Sequence, residues 1–173
     1  MEGEREVLSL EPMADDPEVG RWLSAMEDAR RDTLKELDGV SDELLERTSD
    51  GAPNSIGSLL YHIALVEADW LLTDIMGPES APPWPGDLLP FDDRDAEGRL
   101  TAVRGETLDQ HVDRLAAVRS LFLERMRPVR GEDFHRPRAR ERYDVSPDWV
   151  LHHLLQHEAE HRAHIAAVRD ALR

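Results

Sequence analysis

The stretch Trp149-Val150-Leu151-His152-His153-Leu154-Leu155-Gln156-His157-Glu158-Ala159-Glu160-His161-Arg162-Ala163-His164-Ile165 decides both the fold and the candidate site. Ser146-Pro147-Asp148 stands before it, an N-cap followed by proline at the first helical position. At about 100° per residue, with His161 set at zero, Val150 and Val168 fall at about −20° and Leu154 and Leu172 at about +20°. Ile165 falls at about +40° and His157 at about −40°. Two imidazoles therefore lie inside the apolar stripe that should face a core. A buried imidazole must find partners for its ring nitrogens. Two of them one helical turn apart, about 6 Å along the axis, can converge on one cation. The plainer alternative is a pair of core histidines hydrogen-bonded to backbone or carboxylates. The placement of both rings on the core face favours metal.

Outward from this helix, the chain reads as all-α, with four long helices and no convincing strand. Asp16-Pro17 caps a first helix that runs to about Asp38, with Gly39 just beyond its end. A short helix is expected over Asp42 to Arg47. A second long helix runs from Ser55 to Met76 and stops at Gly77-Pro78. Residues 77–106 carry Pro78, Pro82, Pro83, Pro85 and Pro90, the pattern of a long crossover between the second and third helices. The third helix opens at Thr107 with Gln110 three residues on, a capping box, and ends at Arg127 before Pro128. The expectation is one domain over residues 1–173, a four-helix bundle with a flexible tail at 1–15.

The third metal ligand should come from another helix. His153 and His164 sit at the edge of the same face, and His157, His161 and His164 together span about 10 Å, too far for one ion. His62 borders the apolar arc of Leu59, Ile63, Val66 and Trp70, with Ser58, Asp69 and Thr73 on its other side. It is the first choice, and His111 on the third helix is the reserve. His135 and His152 read as surface residues. Three neutral imidazoles would leave a coordination position open, which is the catalytic rather than the structural pattern. Glu67, Asp69 and Glu158 are the candidate carboxylates for orienting the rings.

Bulk composition narrows the function classes. The net charge of −16 repels phosphate backbones and anionic lipid, so neither nucleic acid nor membrane is expected as a partner. Arg136, Arg138, Arg140 and Arg142 form the one basic cluster, interrupted by Glu141 and followed by Asp144, and read as a solvated loop. No apolar run approaches the roughly 18 residues that would span a bilayer, and Met1 to Pro12 lacks a signal-peptide layout. A cytoplasmic location is expected. The chain contains no cysteine, so any thiol chemistry needs a small-molecule thiol.

Two segments resemble the DinB superfamily. One is Ser55-Ile56-Gly57-Ser58-Leu59-Leu60-Tyr61-His62, continuing to Glu67-Ala68-Asp69-Trp70-Leu71. The other is Val145 to Ile165 with its His-x-x-x-His and following arginine. Leu34-Lys35-Glu36-Leu37-Asp38-Gly39-Val40-Ser41 is similar too, and the likeness covers most of residues 20–172. The resemblance implies a four-helix bundle with a long crossover, often a homodimer, and a metal site from His62, His157 and His161. One divalent ion is expected, with zinc or nickel ahead of iron, although imidazole ligands accept zinc, nickel, iron and copper and so do not name the metal. The resemblance also implies a metal-dependent S-transferase or isomerase that joins a low-molecular-weight thiol, such as mycothiol or bacillithiol, to an electrophilic substrate. Glu158, Arg162 and Asp69 are the candidate catalytic residues. Relatives often read His-Arg-Gly-Gln where this chain has His161-Arg162-Ala163-His164, which leaves the thiol and substrate open.

Two other readings compete. One is a non-catalytic, stress-related metal-binding protein. The other is a zinc hydrolase, because His157-Glu158-Ala159-Glu160-His161 satisfies His-Glu-x-x-His, whose glutamate activates metal-bound water. The longer metzincin pattern fails at His164 and Ala167, and only 12 residues follow His161.

Overall fold

A computed structural model describes residues 5–49 and 53–173, so the first four residues of the expected tail lie outside the described residues. The Asp16 carboxylate accepts from the N–H groups of Glu18 and Val19 and starts α1 (Pro17–Lys35). The segment before it folds back on this helix. The Ser24 hydroxyl donates to the Glu11 carbonyl, and the Met13 N–H donates to the Gly20 carbonyl at 3.2 Å. The approach is so close that a Cβ on Gly20 would come within 2.8 Å of the Met13 nitrogen. α1 ends three residues before the expected Asp38. Tighter i to i+3 turns lead to Gly39, whose φ of +79° suits glycine. The short helix α2 covers Asp42–Leu45.

Ser55 caps α3 (Ile56–Asp69) by accepting from the Ser58 N–H. The expected second helix does run to Met76, but its last stretch, Trp70–Met76, is π-helical. The Gly77 N–H closes this stretch on the Leu72 carbonyl, and Arg140 donates to the Asp74 carbonyl, which is left without a helical partner at the helix end. The long crossover leads to α4 (Leu108–Met126), whose Thr107–Gln110 capping box forms as read. One turn of helix, α5 (Gly131–Phe134), precedes a feature not expected from the sequence. Arg138–Ala139 (β1) pairs antiparallel with Asp144–Val145 (β2). This corrects the reading of a strandless chain and gives the arginine-rich stretch the form of a small hairpin. α6 (Pro147–Ala171) completes the chain.

The chain is mostly helical, and α1, α3, α4 and α6 pack on one another, α3 against both α4 and α6, and α1 against α6 and α4. Their apolar faces feed two clusters of buried side chains. One includes Leu59, Ile63, Leu115, Val118 and Ile165; the other includes Leu23, Met26, Phe122, Val150 and Leu154. Each of the four helices places one buried charge where its apolar face passes from one cluster to the other. These are Arg30, Glu67, Arg119 and Glu158.

The four charges satisfy one another. Arg30 donates through Nε to Glu158 Oε1 at 2.6 Å, through Nη2 to Glu67 Oε2 at 2.8 Å and through Nη1 to the Leu115 carbonyl at 3.0 Å. Arg119 donates to both Glu67 oxygens at 2.6 and 2.9 Å, to Glu158 Oε2 at 3.1 Å and to the Met26 carbonyl at 2.9 Å. Burial by itself would push the Glu67 carboxyl up, but the charges of Arg119 and Arg30 outweigh it and hold the group below its ordinary value. A buried ion pair adds little over a well-packed apolar pair, yet removing one partner strands the others in low dielectric. Glu67→Ala should therefore cost on the order of 3–5 kcal/mol of unfolding free energy in urea denaturation. Lys35→Ala, at the exposed Lys35–Asp32 pair, should leave the midpoint nearly in place.

Candidate metal centre

The packing of α3 against α6 brings His62 to the His157–His161 pair. His157 Nε2 lies 3.0 Å from His62 Nε2 and 3.1 Å from His161 Nε2. One ring nitrogen from each of the three lies within 4.8 Å of the others, a group able to hold a metal ion. The rings are splayed, with interplanar angles of 57°, 86° and 77°, so their nitrogens and not their faces meet. His62 is buried, while His157 and His161 are half-buried, so the cluster is reachable in part from solvent.

Protonation follows from the partners. His62 Nδ1 lies 2.5 Å from Asp93 Oδ1. A carboxylate only accepts, so Nδ1 carries a proton, and Nε2 is the nitrogen that faces His157. Burial first, then the neighbouring imidazoles, lowers His157 to about 3 and His161 to about 4, so both are neutral at pH 7. Bonds of about 2.0–2.1 Å at tetrahedral angles would set ligand nitrogens roughly 3.3 Å apart, close to the two spacings found. The all-imidazole donor set thus fits a divalent cation in spacing, charge state and exposure.

Asp93 is the carboxylate that orients a ring, and it comes from the crossover. Tyr61, the neighbour of His62, donates its hydroxyl to the Phe91 carbonyl and accepts from the Phe91 N–H, both at 2.8 Å. Arg114 adds a bond from Nε to the Leu88 carbonyl at 2.6 Å. The carboxylates expected in this role stand elsewhere. Glu67 and Glu158 are spent on Arg30 and Arg119, which corrects both their reading as ring-orienting groups and that of Glu158 as the glutamate of a zinc hydrolase. Asp69 is exposed at its outer edge and accepts from the Thr73 hydroxyl at 3.0 Å; partial burial, then the charges of Asp74 and Asp93, pushes its carboxyl up. Arg162 pairs with Asp32 of α1 at 3.1 Å.

The remaining histidines separate cleanly. His111, the reserve ligand, lies outside the group. It is buried against Gly57, accepts at Nδ1 from Arg114 at 3.2 Å and has Glu106 3.5 Å from Nε2. His135 sits between Glu18 and Asp148, and His152 is exposed with its ring edge toward Trp22. His164 brings Nδ1 to 3.4 Å from His161 Nδ1, beside the cluster but not within the group. His153 stacks on Trp149.

Comparison with known proteins agrees with this geometry. The sequence model of one family, described as the DinB superfamily, matches residues 25–165, a span that holds all three clustered histidines and the four buried charges. No curated protein matches the chain. Among the described residues no helix is long and apolar enough to cross a membrane.

His111 supplies a pH test that is separate from the cluster. Burial first, then the charge of Arg114, lowers it to about 4, against about 6.5 in an unfolded chain. Between those values the unfolded state binds the proton and the folded state does not, so stability falls as pH drops from about 6.5 to about 4. His111→Asn should make the unfolding free energy less dependent on pH across that window, as measured by urea titrations at half-unit steps.

Proposed function

This chain belongs to the DinB superfamily, and we propose that its three-histidine cluster binds one divalent ion, zinc or nickel ahead of iron, in a metal-dependent S-transferase or isomerase. The co-substrates in this reading are a low-molecular-weight thiol of the mycothiol or bacillithiol type and a small electrophile. The observation that carries it is the meeting of three imidazole nitrogens in a partly exposed cluster. An ion held only by neutral ligands would keep its charge and lower the pKa of an incoming thiol toward neutrality. The residues of the chain do the positioning. His157 and His161 are fixed one turn apart on α6, and Asp93 fixes the tautomer and the plane of His62. The chain has no cysteine to compete with an external thiol. Arg162, at the edge of the same helix, is the candidate contact for an anionic part of the thiol or substrate, in exchange for Asp32.

One observation favours a plainer second reading, a metal-binding protein without turnover. Glu158, the acid adjacent to His157, is taken up by two arginines, and Asp93 is engaged with His62, so neither is free to act as a base.

Metal analysis of the purified chain should find about one divalent ion, lost in His62→Ala, His157→Ala and His161→Ala and retained in His152→Ala. Asp93→Ala should weaken metal affinity by roughly 10–100-fold without abolishing it. Thiol entry should alter the visible spectrum of a Co²⁺ form, and metal-loaded protein should conjugate mycothiol or bacillithiol to monochlorobimane. A Co²⁺ spectrum blind to every small thiol, together with no conjugation, would leave the non-catalytic reading in place.

A further inference from the structure

The π-helical stretch after α3 has a neighbour that the metal chemistry does not use. Trp70, its first residue, is half-buried between Tyr143 of the hairpin and Trp149 of α6. The ring centroids are 6.3 and 5.5 Å away, and the planes are inclined by 31° and 47°. Tyr143 and Trp149 are thus each inclined to Trp70, and all three rings line one cleft. Tyr143 and Trp149 are 47% and 49% exposed, a large aromatic area to leave facing water. His153 lies parallel to Trp149 at 5.3 Å and 4.9 Å from Trp70, so it packs against both indoles without lining the cleft itself. With Pro137 and Asp144 the three rings line a cleft of about 490 Å³, within the range of small-molecule sites.

The charge around this cleft is acidic. Asp144 lines it, Asp69 adjoins Trp70 in the chain, and buried Asp74 accepts the Tyr143 hydroxyl at 2.9 Å. That donation pushes electron density onto the phenol ring and strengthens the negative face it presents. The arginines of the hairpin do not line the cleft. Arg140 gives its Nη groups to the carbonyls of Asp74 and Ala139, with Nε 3.8 Å from Asp74 Oδ1, and Arg138 donates to the carbonyls of Asp133 and Arg136. Arg142, the exposed neighbour of Tyr143 in the chain, is not among the lining residues either, and a lining of aromatic faces and a carboxylate with no arginine or lysine disfavours an anion. It favours a soft positive charge that has lost most of its hydration.

We propose that the trough formed by Trp70, Tyr143 and Trp149 binds an organic cation, an alkylated ammonium group such as trimethylammonium. The alkyl groups fill the apolar volume, the spread positive charge lies over the aromatic faces, and Asp144 faces it at the rim. This assignment is independent of the metal reading, because no cluster histidine lines the trough.

The test is a titration of the 173-residue chain with tetramethylammonium chloride and with choline, at constant ionic strength, read by tryptophan fluorescence and calorimetry. The neutral comparison is 3,3-dimethylbutan-1-ol, which matches choline in shape and lacks its charge. Saturable binding of both cations, with the neutral alcohol at least tenfold weaker, is expected. Trp149→Leu keeps an apolar, half-exposed side chain and removes the aromatic face. It should weaken the cations by roughly five- to thirtyfold and leave the alcohol little changed. Equal or tighter binding of the alcohol would overturn the proposal in favour of an apolar ligand. Cation binding unaffected by Trp149→Leu would overturn it by placing the signal at Trp22 or Trp84, and absence of saturable cation binding would overturn it outright.

Discussion

Four charges without access to water set the terms for this molecule. Arg30, Glu67, Arg119 and Glu158 each come from a different long helix, and each is useless or harmful without the other three. Apolar contacts tolerate a helix sliding or turning by a few degrees, but a two-dimensional fork of guanidinium donors meeting carboxylates does not. If α6 slipped by one residue, Glu158 would be carried about 100° away from both arginines. The layer therefore fixes the rotation and the height of all four helices together, and the two apolar clusters on either side of it supply the bulk of the attraction.

The histidine cluster inherits its precision from that layer. Glu158 follows His157 directly, and Glu67 lies five residues after His62 on the same helix. When the arginines fix those two glutamates, they fix the facing rotations of α3 and α6, and hence where the three imidazole nitrogens meet. The same glutamate that a motif reading assigns to catalysis thus acts on the site only through the backbone. His-Glu-x-x-His on a helix specifies two ligands on one face and leaves the glutamate about 100° round from the first of them. What waits there decides its role, and here it is two arginines.

Periodicity made most of this legible in the sequence. The long helices, their caps at Asp16 and Thr107, and the convergence of His62, His157 and His161 follow from residue types at helical spacing. What escaped was set by contacts between distant segments. Asp93 sits in a proline-rich stretch with no period to read, and only the Tyr61–Phe91 pairing brings it to His62. The small hairpin is too short for an alternating pattern, and the end of the π-helical turn is capped by Arg140 reaching Asp74 from 66 residues away. The buried layer did leave a trace. Arg30 continues the run of Val19, Leu23 and Met26, and Arg119 stands between Leu115 and Phe122, so each is a charge written into an apolar stripe. Such a charge needs an opposite partner on a facing helix, and Glu67 and Glu158 were the available ones.

The bond between Asp93 and His62 joins the crossover segment to the centre of the molecule. Thermodynamic linkage makes such a joint work in both directions. An ion held at this cluster would need His62 in one tautomer and one plane, and would so hold the Phe91–Asp93 segment down on α3. Lifting the segment by its exposed Trp84 or Phe91 would, by the same free energy, weaken the hold on such an ion. The crossover would then be a remote handle on the occupancy of the proposed centre.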